Sequence, residues 1–201
     1  MAAVASQLRR NAFAKAAVAA ATAAAVAVAS PLEALAKSAI ISKSGYDVTP
    51  MPRDEVEKIA EKYNDIQRKV LLKAGTEFAG TGVTVNGYPH STKEEGVWIS
   101  AVSGIPLFSS SAKYESGTGW PSFYEPIDKD HIIERVDPKD KSSGLPQFFQ
   151  RMEVLDRKSG THLGHVFPDG PKPTGLRYCM NTASMIFVPK GEPLPVQPVK
   201  K

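Results

Sequence analysis

Residues 160–181 read Gly-Thr-His-Leu-Gly-His-Val-Phe-Pro-Asp-Gly-Pro-Lys-Pro-Thr-Gly-Leu-Arg-Tyr-Cys-Met-Asn, and residues 116–126 read Ser-Gly-Thr-Gly-Trp-Pro-Ser-Phe-Tyr-Glu-Pro. Both stretches are rich in turn-forming and polar residues, which is typical of functional loops on a β scaffold. The longer stretch contains the only cysteine of the sequence, Cys179, and the histidine pair His162 and His165. We therefore expect the chemistry of the protein to reside in these two stretches.

Short apolar segments separated by Gly, Pro, Ser and Asp occupy much of the chain after Gly75. This pattern indicates strands bounded by turns and predicts a mainly β fold. The predicted strands are residues 96–101, 131–136, 148–155 and 183–188. Before them, apolar residues at the spacing of one helical face predict a single helix from Arg53 to Lys73. Gly75 is available to end that helix, which we expect to pack on the edge of the domain.

Residues 1–36 are rich in alanine and contain no acidic residue before Glu33. This composition is typical of a targeting presequence. The apolar run at 16–29 is too short for a spanning helix, so we expect no membrane anchor. We expect a plastid location. The mitochondrion is one alternative, and export through the twin-arginine route, which Arg9-Arg10 favours, is another.

Three further segments follow the presequence. Residues 37–52 are predicted to be a linker, because the polar stretch that begins at Ser44 ends in Thr-Pro-Met-Pro and proline keeps the chain out of a helix. Residues 53–190 form the predicted domain. Residues 191–201 form a predicted Pro-rich, irregular tail.

The charge and cysteine content exclude several classes of protein. The whole chain has 25 basic and 21 acidic residues and a net charge of +4. Without residues 1–36, 22 basic and 20 acidic residues remain, a net charge of +2, so attraction to nucleic acid is weak. A single thiol excludes an intramolecular disulfide and any Cys-rich zinc or iron–sulfur site.

The longer stretch combines a candidate nucleophile, two candidate proton-transfer groups, and amide and charged groups within about twenty residues. These residues are Cys179, His162, His165, Asp169, Arg177 and Asn181. Without a family context, a lone cysteine is usually a small buried hydrophobic residue. A His-x-x-His pair is then two ordinary surface residues or a metal pair.

Arg177 and Cys179 are two residues apart, so on a strand both side chains would face the same side. A positive charge there would lower the pKa of the thiol. A surface salt bridge is the alternative role for Arg177 and Asp169.

The two stretches resemble the methionine-R-sulfoxide reductase family, the B-type methionine sulfoxide reductases. The family signatures are Gly-Trp-Pro-Ser-Phe, found at 119–123, and Gly-x-His-Leu-Gly-His-Val-Phe leading to Arg-Tyr-Cys-x-Asn, found at 160–181. Residues 73–77 and 104–110 also match family positions, so the resemblance extends from about Arg53 to Lys190. It implies two antiparallel sheets in a tent-like or barrel-like core, with the N-terminal helix packed outside.

The resemblance implies that Cys179 is the nucleophile. It would reduce methionine-R-sulfoxide in oxidised proteins or peptides and become a sulfenic acid. His165 would protonate or position the sulfoxide oxygen, with His162 in support. Asn181 would hydrogen-bond that oxygen or an ordered water.

Two further roles follow from the resemblance. Asp169 would orient Arg177 or a histidine. Trp120 would pack against the methyl group of the substrate and so select one sulfoxide epimer. Core packing, which we assume for Trp98, is the alternative role for Trp120.

Two departures from the family pattern define a one-cysteine type without zinc. Thr118 stands where many members have a resolving cysteine, so an external thiol must regenerate Cys179. Ser100, Ser103, Asp156 and Ser159 stand where many members have the two Cys-x-x-Cys pairs of a structural zinc site. Hydroxyls are poor zinc ligands at neutral pH, so we expect no metal and no other cofactor. Hydrogen bonds and packing must hold those loops.

The expected substrates are oxidised proteins, and the expected reductant is thioredoxin, or glutaredoxin with glutathione. We expect the protein to be a monomer that repairs other proteins under oxidative stress. We expect no nucleic-acid or membrane partner. Two other functions compete with the reductase: a methyl-sulfoxide binding module without turnover, and a peroxide-sensing thiol protein. Cys179 together with His162, His165, Asn181 and Trp120 favours the reductase, because a pure binder needs no reactive thiol.

Overall fold

The computed structural model describes residues 39–199. The predicted presequence, residues 1–36, lies outside the described residues. Within them, the chain forms two antiparallel sheets and a few short helices, which confirms the predicted mainly β class and its two-sheet architecture. No helix in this part of the chain is long and apolar enough to span a bilayer.

The described residues contain nine strands in two sheets. The strands are β1 (Gly96–Ser100), β2 (Pro106–Ser109), β3 (Lys113–Tyr114), β4 (Ser122–Phe123), β5 (Ile132–Val136), β6 (Met152–Asp156), β7 (His162–Phe167), β8 (Arg177–Met180) and β9 (Met185–Pro189). The small sheet has the order β2-β1-β9, and the large sheet has the order β3-β4-β8-β7-β6-β5. All neighbouring strands are antiparallel.

Apolar side chains from both sheets form the main core. Phe108 of the small sheet stacks on Phe123 of the large sheet with ring centroids 4.5 Å apart, and Trp98 meets Phe123 at 5.8 Å. Trp98, Phe123 and Tyr178 are fully buried. Trp98 therefore has the core role we assumed for it, and burial of these rings supplies much of the stabilisation of the fold.

The predicted helix Arg53 to Lys73 is wrong as a single element. The chain forms two helices here, α1 (Arg53–Ala60) and α2 (Asp65–Lys73), and a third, α3 (Pro138–Ser142), precedes β6. Asn64 starts α2 with a capping box: its side chain accepts from the Gln67 N–H at 2.9 Å, and its own N–H donates to the Gln67 side chain at 3.0 Å. This pair of residues was the sequence signal for a new helix start.

The end of α2 also differs from the expectation. Ala74, not Gly75, takes the left-handed conformation at the end of the helix, with φ of 47°. The Gly75 N–H donates to the carbonyl of Lys69 at 3.0 Å, and a Cβ on Gly75 would lie 2.9 Å from that oxygen. Glycine is required here for close approach, one residue after the left-handed position.

The predicted linker is wrong for residues 39–52, because they pack on the domain. Val48 is fully buried against Tyr46 and Ile105. Residues 191–199 contain no helix or strand and cover the same cluster: Val196 packs against it and the Val199 N–H donates to the Gly45 carbonyl. The domain therefore includes chain on both sides of the predicted boundaries.

Strand prediction succeeded for β1 and β5 and failed in part elsewhere. The predicted strand 148–155 begins only at Met152, because Gln147–Phe149 forms a short 3-10 turn. The predicted strand 183–188 begins at Met185, because Thr182–Ser184 forms another 3-10 turn. Strands β2, β3, β4, β7 and β8 were not predicted as elements. Three of them, β4, β7 and β8, lie in the two stretches that were predicted to be loops. Turn-forming residues there obscure the sequence pattern of a strand.

Candidate active site

Cys179 lies on β8, between β4 and β7 in the large sheet. Its direct cross-strand neighbours are Ser122 on β4 and His165 on β7. Residues directly opposite in antiparallel strands point to the same face of the sheet, with Cβ atoms about 5 Å apart. The sheet therefore brings a thiol, a hydroxyl and an imidazole together from three separate strands.

The same pairing continues across the large sheet as one row of polar side chains. From β3 to β5 the row is Tyr114, Ser122, Cys179, His165, Glu153 and Arg135. Cys179 stands near the middle of the row, so charged and hydrogen-bonding groups are aligned on both sides of the thiol.

A β-bulge brings the two histidines to the same side. In a regular strand, residues three apart face opposite sides of the sheet. Here Val154 pairs with Gly164 while Leu155 pairs with His162, so Leu163 is an extra residue in β7. As a result, the rings of His162 and His165 have centroids 5.3 Å apart.

Cys179 opens into a cavity of about 150 Å³. Trp120, His165 and Asn181, all expected in the site, are among the residues around it, and Cys179 itself is partly exposed. The remaining lining residues are Thr76, Arg151, Gly164, Phe167 and Met180. Thr76 and Arg151 were not predicted as site residues, because they come from distant parts of the chain.

The Cys179 thiol is not acidic in the resting protein. Burial raises its pKa above the ordinary cysteine value, although hydrogen bonds from Thr118 and Ser122 and the charge of Arg177 act in the opposite direction. The expected effect of Arg177 is therefore present, but burial is the larger contribution. The thiol is largely protonated at neutral pH, so the reaction needs a group that takes its proton.

Arg177 and Asp169 form a bidentate ion pair. Nε and Nη2 of Arg177 each donate to one carboxylate oxygen of Asp169 at 2.8 Å. The guanidinium also lies over the ring of Phe167, 4.3 Å from its centroid. Asp169 thus orients Arg177, which is one of the two partners expected for it. The other expected partner, a histidine, contacts a different carboxylate.

Two carboxylates that the sequence analysis missed bind the two histidines. His162 Nδ1 lies 2.8 Å from Oε1 of Glu153, and His165 Nε2 lies 2.7 Å from Oδ2 of Asp137. Burial lowers the pKa of His162, with Glu153 opposing the shift, so this ring is neutral near pH 7. Glu153 lies on the neighbouring strand β6, nine residues from His162, and Asp137 lies 28 residues from His165, so neither contact follows from local spacing.

The Asn181 amide is hydrogen-bonded to the backbone of two other chain segments. Its Oδ1 accepts from the Glu77 N–H at 3.1 Å and its Nδ2 donates to the Leu163 carbonyl at 3.0 Å. Glu77, in turn, accepts from the N–H groups of Thr182 and Ala183. Asn181 also lines the cavity, and its expected contact with the sulfoxide oxygen stays a prediction.

Trp120 and Thr118 both lie near Cys179. Trp120 lines the cavity, and within the described residues its Nε1 and the Nε2 of His162 are buried without a hydrogen-bond partner. The hydroxyl oxygen of Thr118 is 3.8 Å from Sγ of Cys179. Position 118 is therefore in direct contact with the candidate nucleophile.

The residues that the resemblance aligns with zinc ligands of other family members form a hydrogen-bonded cluster. Asp156 is fully buried, and its Oδ2 accepts from Ser100 at 2.6 Å and from Ser159 at 2.5 Å. Ser100 also accepts from the Ser103 N–H at 3.1 Å. These oxygens are already paired with one another, and the set lacks thiolate and imidazole ligands, so it does not fit a tetrahedral zinc ion.

The fold and the site together define a thiol-dependent β protein, with one cysteine in a small cavity beside a carboxylate-bound histidine and a tryptophan. Comparison with known proteins places the chain within that class. Residues 63–189 match the family described as SelR domain. The chain belongs to the MsrB family, as the sequence motifs indicated.

Individual relatives agree with this assignment. The peptide methionine sulfoxide reductase MsrB of Caulobacter vibrioides is 41% identical over 158 residues, which cover 79% of this chain and 92% of the relative. The MsrB of Leptospira interrogans is 48% identical over 121 residues, which cover 60% and 83%. The MsrA/MsrB protein of Vibrio cholerae is 48% identical over 140 residues, which cover 70% of this chain and 34% of that longer protein.

Proposed function

We propose that this protein reduces methionine-R-sulfoxide in oxidised polypeptides to methionine, with Cys179 as the nucleophile. The observation that carries the proposal is the cavity in which Cys179, His165 and Trp120 converge. A thiol for the sulfur, an imidazole for the oxygen and an aromatic ring for the methyl group are the three groups that this reaction requires. The relatives' printed names support the same reaction.

In the first step, the sulfur of Cys179 attacks the sulfoxide sulfur, the oxygen is transferred to the Cys179 sulfur as the S–O bond of the substrate breaks, and the transient S–S bond then breaks. Cys179 loses two electrons and becomes a sulfenic acid, while the substrate sulfur gains two and leaves as methionine. The proton that the thiol gives up ends on the transferred oxygen. His165, the direct cross-strand neighbour of Cys179, is the proposed carrier of that proton.

In the second step, an external thiol restores Cys179. The thiol attacks the sulfenic sulfur, water leaves, and a mixed disulfide forms. A second thiol then releases Cys179 and departs as a disulfide. External thiols are required because the sequence has one cysteine and a threonine hydroxyl lies next to its sulfur.

We propose that the protein works without zinc or another cofactor. The support is the Asp156 cluster, in which two serine hydroxyls donate to one buried carboxylate and join the loops after β1 and β6. Such hydrogen bonds to a charged acceptor stabilise more than neutral ones. Metal analysis of purified protein tests this directly, and one zinc per chain would contradict it.

The test of the main proposal is incubation of the full chain with each epimer of a methionine sulfoxide peptide and dithiothreitol. We expect methionine from the R epimer and none from the S epimer. Cys179→Ser should abolish the product while leaving the fold unchanged, and Ser111→Ala, which alters an exposed hydroxyl away from the cavity, serves as the control.

Two other results would point to the competing functions. Tight binding of the peptide without product would identify a sulfoxide-binding module. Rapid oxidation of Cys179 by peroxide, with no product from either epimer, would identify a peroxide sensor.

The proposed physiological partners are oxidised proteins as substrates and thioredoxin, or glutaredoxin with glutathione, as the reductant. Measuring turnover with each reductant in place of dithiothreitol separates the two. We further propose a monomer that acts in protein repair in the plastid. Fusion of residues 1–60 to a fluorescent protein distinguishes the plastid from the mitochondrion and from an exported location.

A further inference from the structure

Asp137 is the carboxylate that contacts His165. It immediately precedes α3 and lies 28 residues before the histidine, yet its Oδ2 is 2.7 Å from His165 Nε2. The Asp137 side chain is 3% exposed and that of His165 is 12% exposed. The contact therefore joins a buried carboxylate to an imidazole that lines the Cys179 cavity.

The rest of the fold holds the Asp137 carboxylate in one orientation. Its Oδ1 accepts from the Lys139 N–H at 2.8 Å and so caps α3. Its backbone N–H donates to the Arg151 carbonyl at 2.9 Å, and Arg151 Nη2 lies 3.4 Å from Oδ2. Arg151 is itself held by a bidentate pair with Asp140, at 2.8 Å for both contacts. Rotation of the carboxylate would break the cap.

Asp137 is ionised under working conditions. Burial opposes ionisation, but hydrogen bonds from His165 and the Lys139 N–H and the charge of Arg151 together hold the pKa of Asp137 below its usual range. An ionised carboxylate can only accept hydrogen bonds. The proton between the two groups therefore belongs to Nε2 of His165.

We infer that Asp137 is the positioning residue of His165, fixing the ring as the Nε2–H tautomer and leaving Nδ1 unprotonated for the Cys179 cavity. This inference rests on the proposed function, in which His165 carries the thiol proton to the sulfoxide oxygen. Only an unprotonated Nδ1 can take that proton. Because the thiol is protonated at rest, the tautomer decides whether the first step can begin.

The other two carboxylates of the site do not fill this role. Both oxygens of Asp169 are bound to Arg177. Glu153 binds Nδ1 of His162 through one oxygen and Arg135 through the other. Asp137 is thus the one hydrogen-bonded carboxylate partner of His165 within the described residues.

Asp137→Asn tests the inference because it keeps the shape of the side chain. The Lys139 N–H still needs an acceptor at Oδ1, so the amide NH₂ must face His165. The ring then has to accept at Nε2 and carry its proton on Nδ1. We expect the rate of the first turnover, measured as methionine formed without reductant, to fall about 10²-fold, the lower end of the contribution of correct proton transfer.

A spectroscopic readout reports the tautomer itself. In ¹⁵N NMR of the neutral ring, His165 should carry its proton on Nε2 in the natural protein and on Nδ1 in Asp137→Asn. A second readout is alkylation of Cys179 by iodoacetamide above the pKa of the thiol, where no proton transfer is needed. We expect Asp137→Asn and the natural protein to react there at the same rate.

Asp128→Asn is the matched control. Asp128 also caps a helical turn and lies beside a histidine, His131, but at the other end of β5 and away from Cys179. Asp128→Asn should leave the first-turnover rate within about twofold of that of the natural protein, because the substitution changes stability without touching His165.

The outcomes separate the inference from the proposed function. An unchanged first-turnover rate or an unchanged tautomer in Asp137→Asn would overturn the positioning role. Equal slowing of turnover and of high-pH alkylation would also overturn it, because the effect would then be general damage to the cavity. Absence of methionine from the natural protein would instead refute the reductase, and the tautomer in NMR would still decide whether Asp137 positions the ring.

Discussion

Gly164 lies against the backbone of Cys179, and a Cβ at position 164 would overlap the carbonyl oxygen of Cys179. Gly164 directly precedes His165, which is the cross-strand partner of Cys179. The lack of a side chain at position 164 therefore sets how closely the strand that carries the imidazole approaches the strand that carries the thiol.

Gly164→Ala should separate β7 from β8 and impair both stability and activity. We expect the free energy of unfolding to fall by about 1–3 kcal/mol, as for other overpacked sites, and the first-turnover rate to fall with it. Urea unfolding and product formation measure the two effects. Gly144→Ala is the control, because Gly144 has a φ of 75° with nothing near its Cβ position, so alanine there strains the backbone without touching the site. Equal activity in the two variants would contradict this account of Gly164.

The reactivity of Cys179 should report its raised pKa. Alkylation by iodoacetamide should be slow near neutral pH and rise through an inflection above the ordinary range of a cysteine thiol, because burial disfavours the thiolate. Arg177→Gln should move the inflection to still higher pH, since the charge of Arg177 acts to lower this pKa.

Arg135→Gln provides the control for that titration. Arg135 lies three strands from Cys179 in the same row, so Arg135→Gln should leave the pH of the inflection unchanged. An inflection below pH 7, or the same inflection in Arg177→Gln as in the natural protein, would show that burial and Arg177 do not have the assigned effects.

Thr118→Cys should convert the protein to one that forms its own disulfide. The Thr118 hydroxyl is 3.8 Å from Sγ of Cys179, so a small shift brings two sulfurs to the bonding distance of about 2.05 Å. After one turnover without reductant, we expect the variant to have no free thiol and to be lighter than its reduced form by two hydrogen atoms, as measured by mass spectrometry.

Ser111→Cys is the matched control for the disulfide. Ser111 is exposed and contacts Ser109 and Tyr124 instead of Cys179, so this variant should keep its added thiol after one turnover. Persistence of the added thiol beside an oxidised Cys179 in Thr118→Cys after product has formed would show that position 118 cannot reach the sulfenic acid.

The Asp156 cluster should stabilise the domain without metal. Asp156→Ala leaves the hydroxyls of Ser100 and Ser159 without their buried acceptor, so we expect a loss of about 2 kcal/mol or more in urea unfolding. Asp65→Ala, which removes an exposed partner of Arg68, should cost less than about 1 kcal/mol. A chelator should leave the unfolding midpoint of the natural protein unchanged, and a lowered midpoint would indicate a bound metal after all.

Local patterns account for what could be predicted. The motifs around Trp120 and Cys179 indicated the family, and the two-residue spacing of Arg177 and Cys179 indicated that both side chains face the same side. Both inferences depend on residues adjacent in the chain, where strand geometry has a fixed period of two. The break between α1 and α2 also had a local signal in Asn64 and Gln67, which the longer apolar pattern obscured.

Contacts between distant segments account for what could not be predicted. His162 and His165 share a side only because of the bulge at Leu163, and a bulge is a feature of strand pairing. The carboxylate partners of the histidines come from β6 and from the start of α3. Residues 39–52 belong to the domain because the Val48 side chain is buried against Ile105.

The sequence by itself determined the family, the single thiol, the hydroxyl at position 118 and the serines and aspartate at positions 100, 103, 156 and 159, because these are matters of residue identity. The tertiary structure alone decided the electrostatic state of the site. Burial raises the pKa of the Cys179 thiol. The large sheet and α3 together place the Asp137 carboxylate beside His165. Desolvation and charge pairing depend on which atoms surround a group in space, and packing sets that environment.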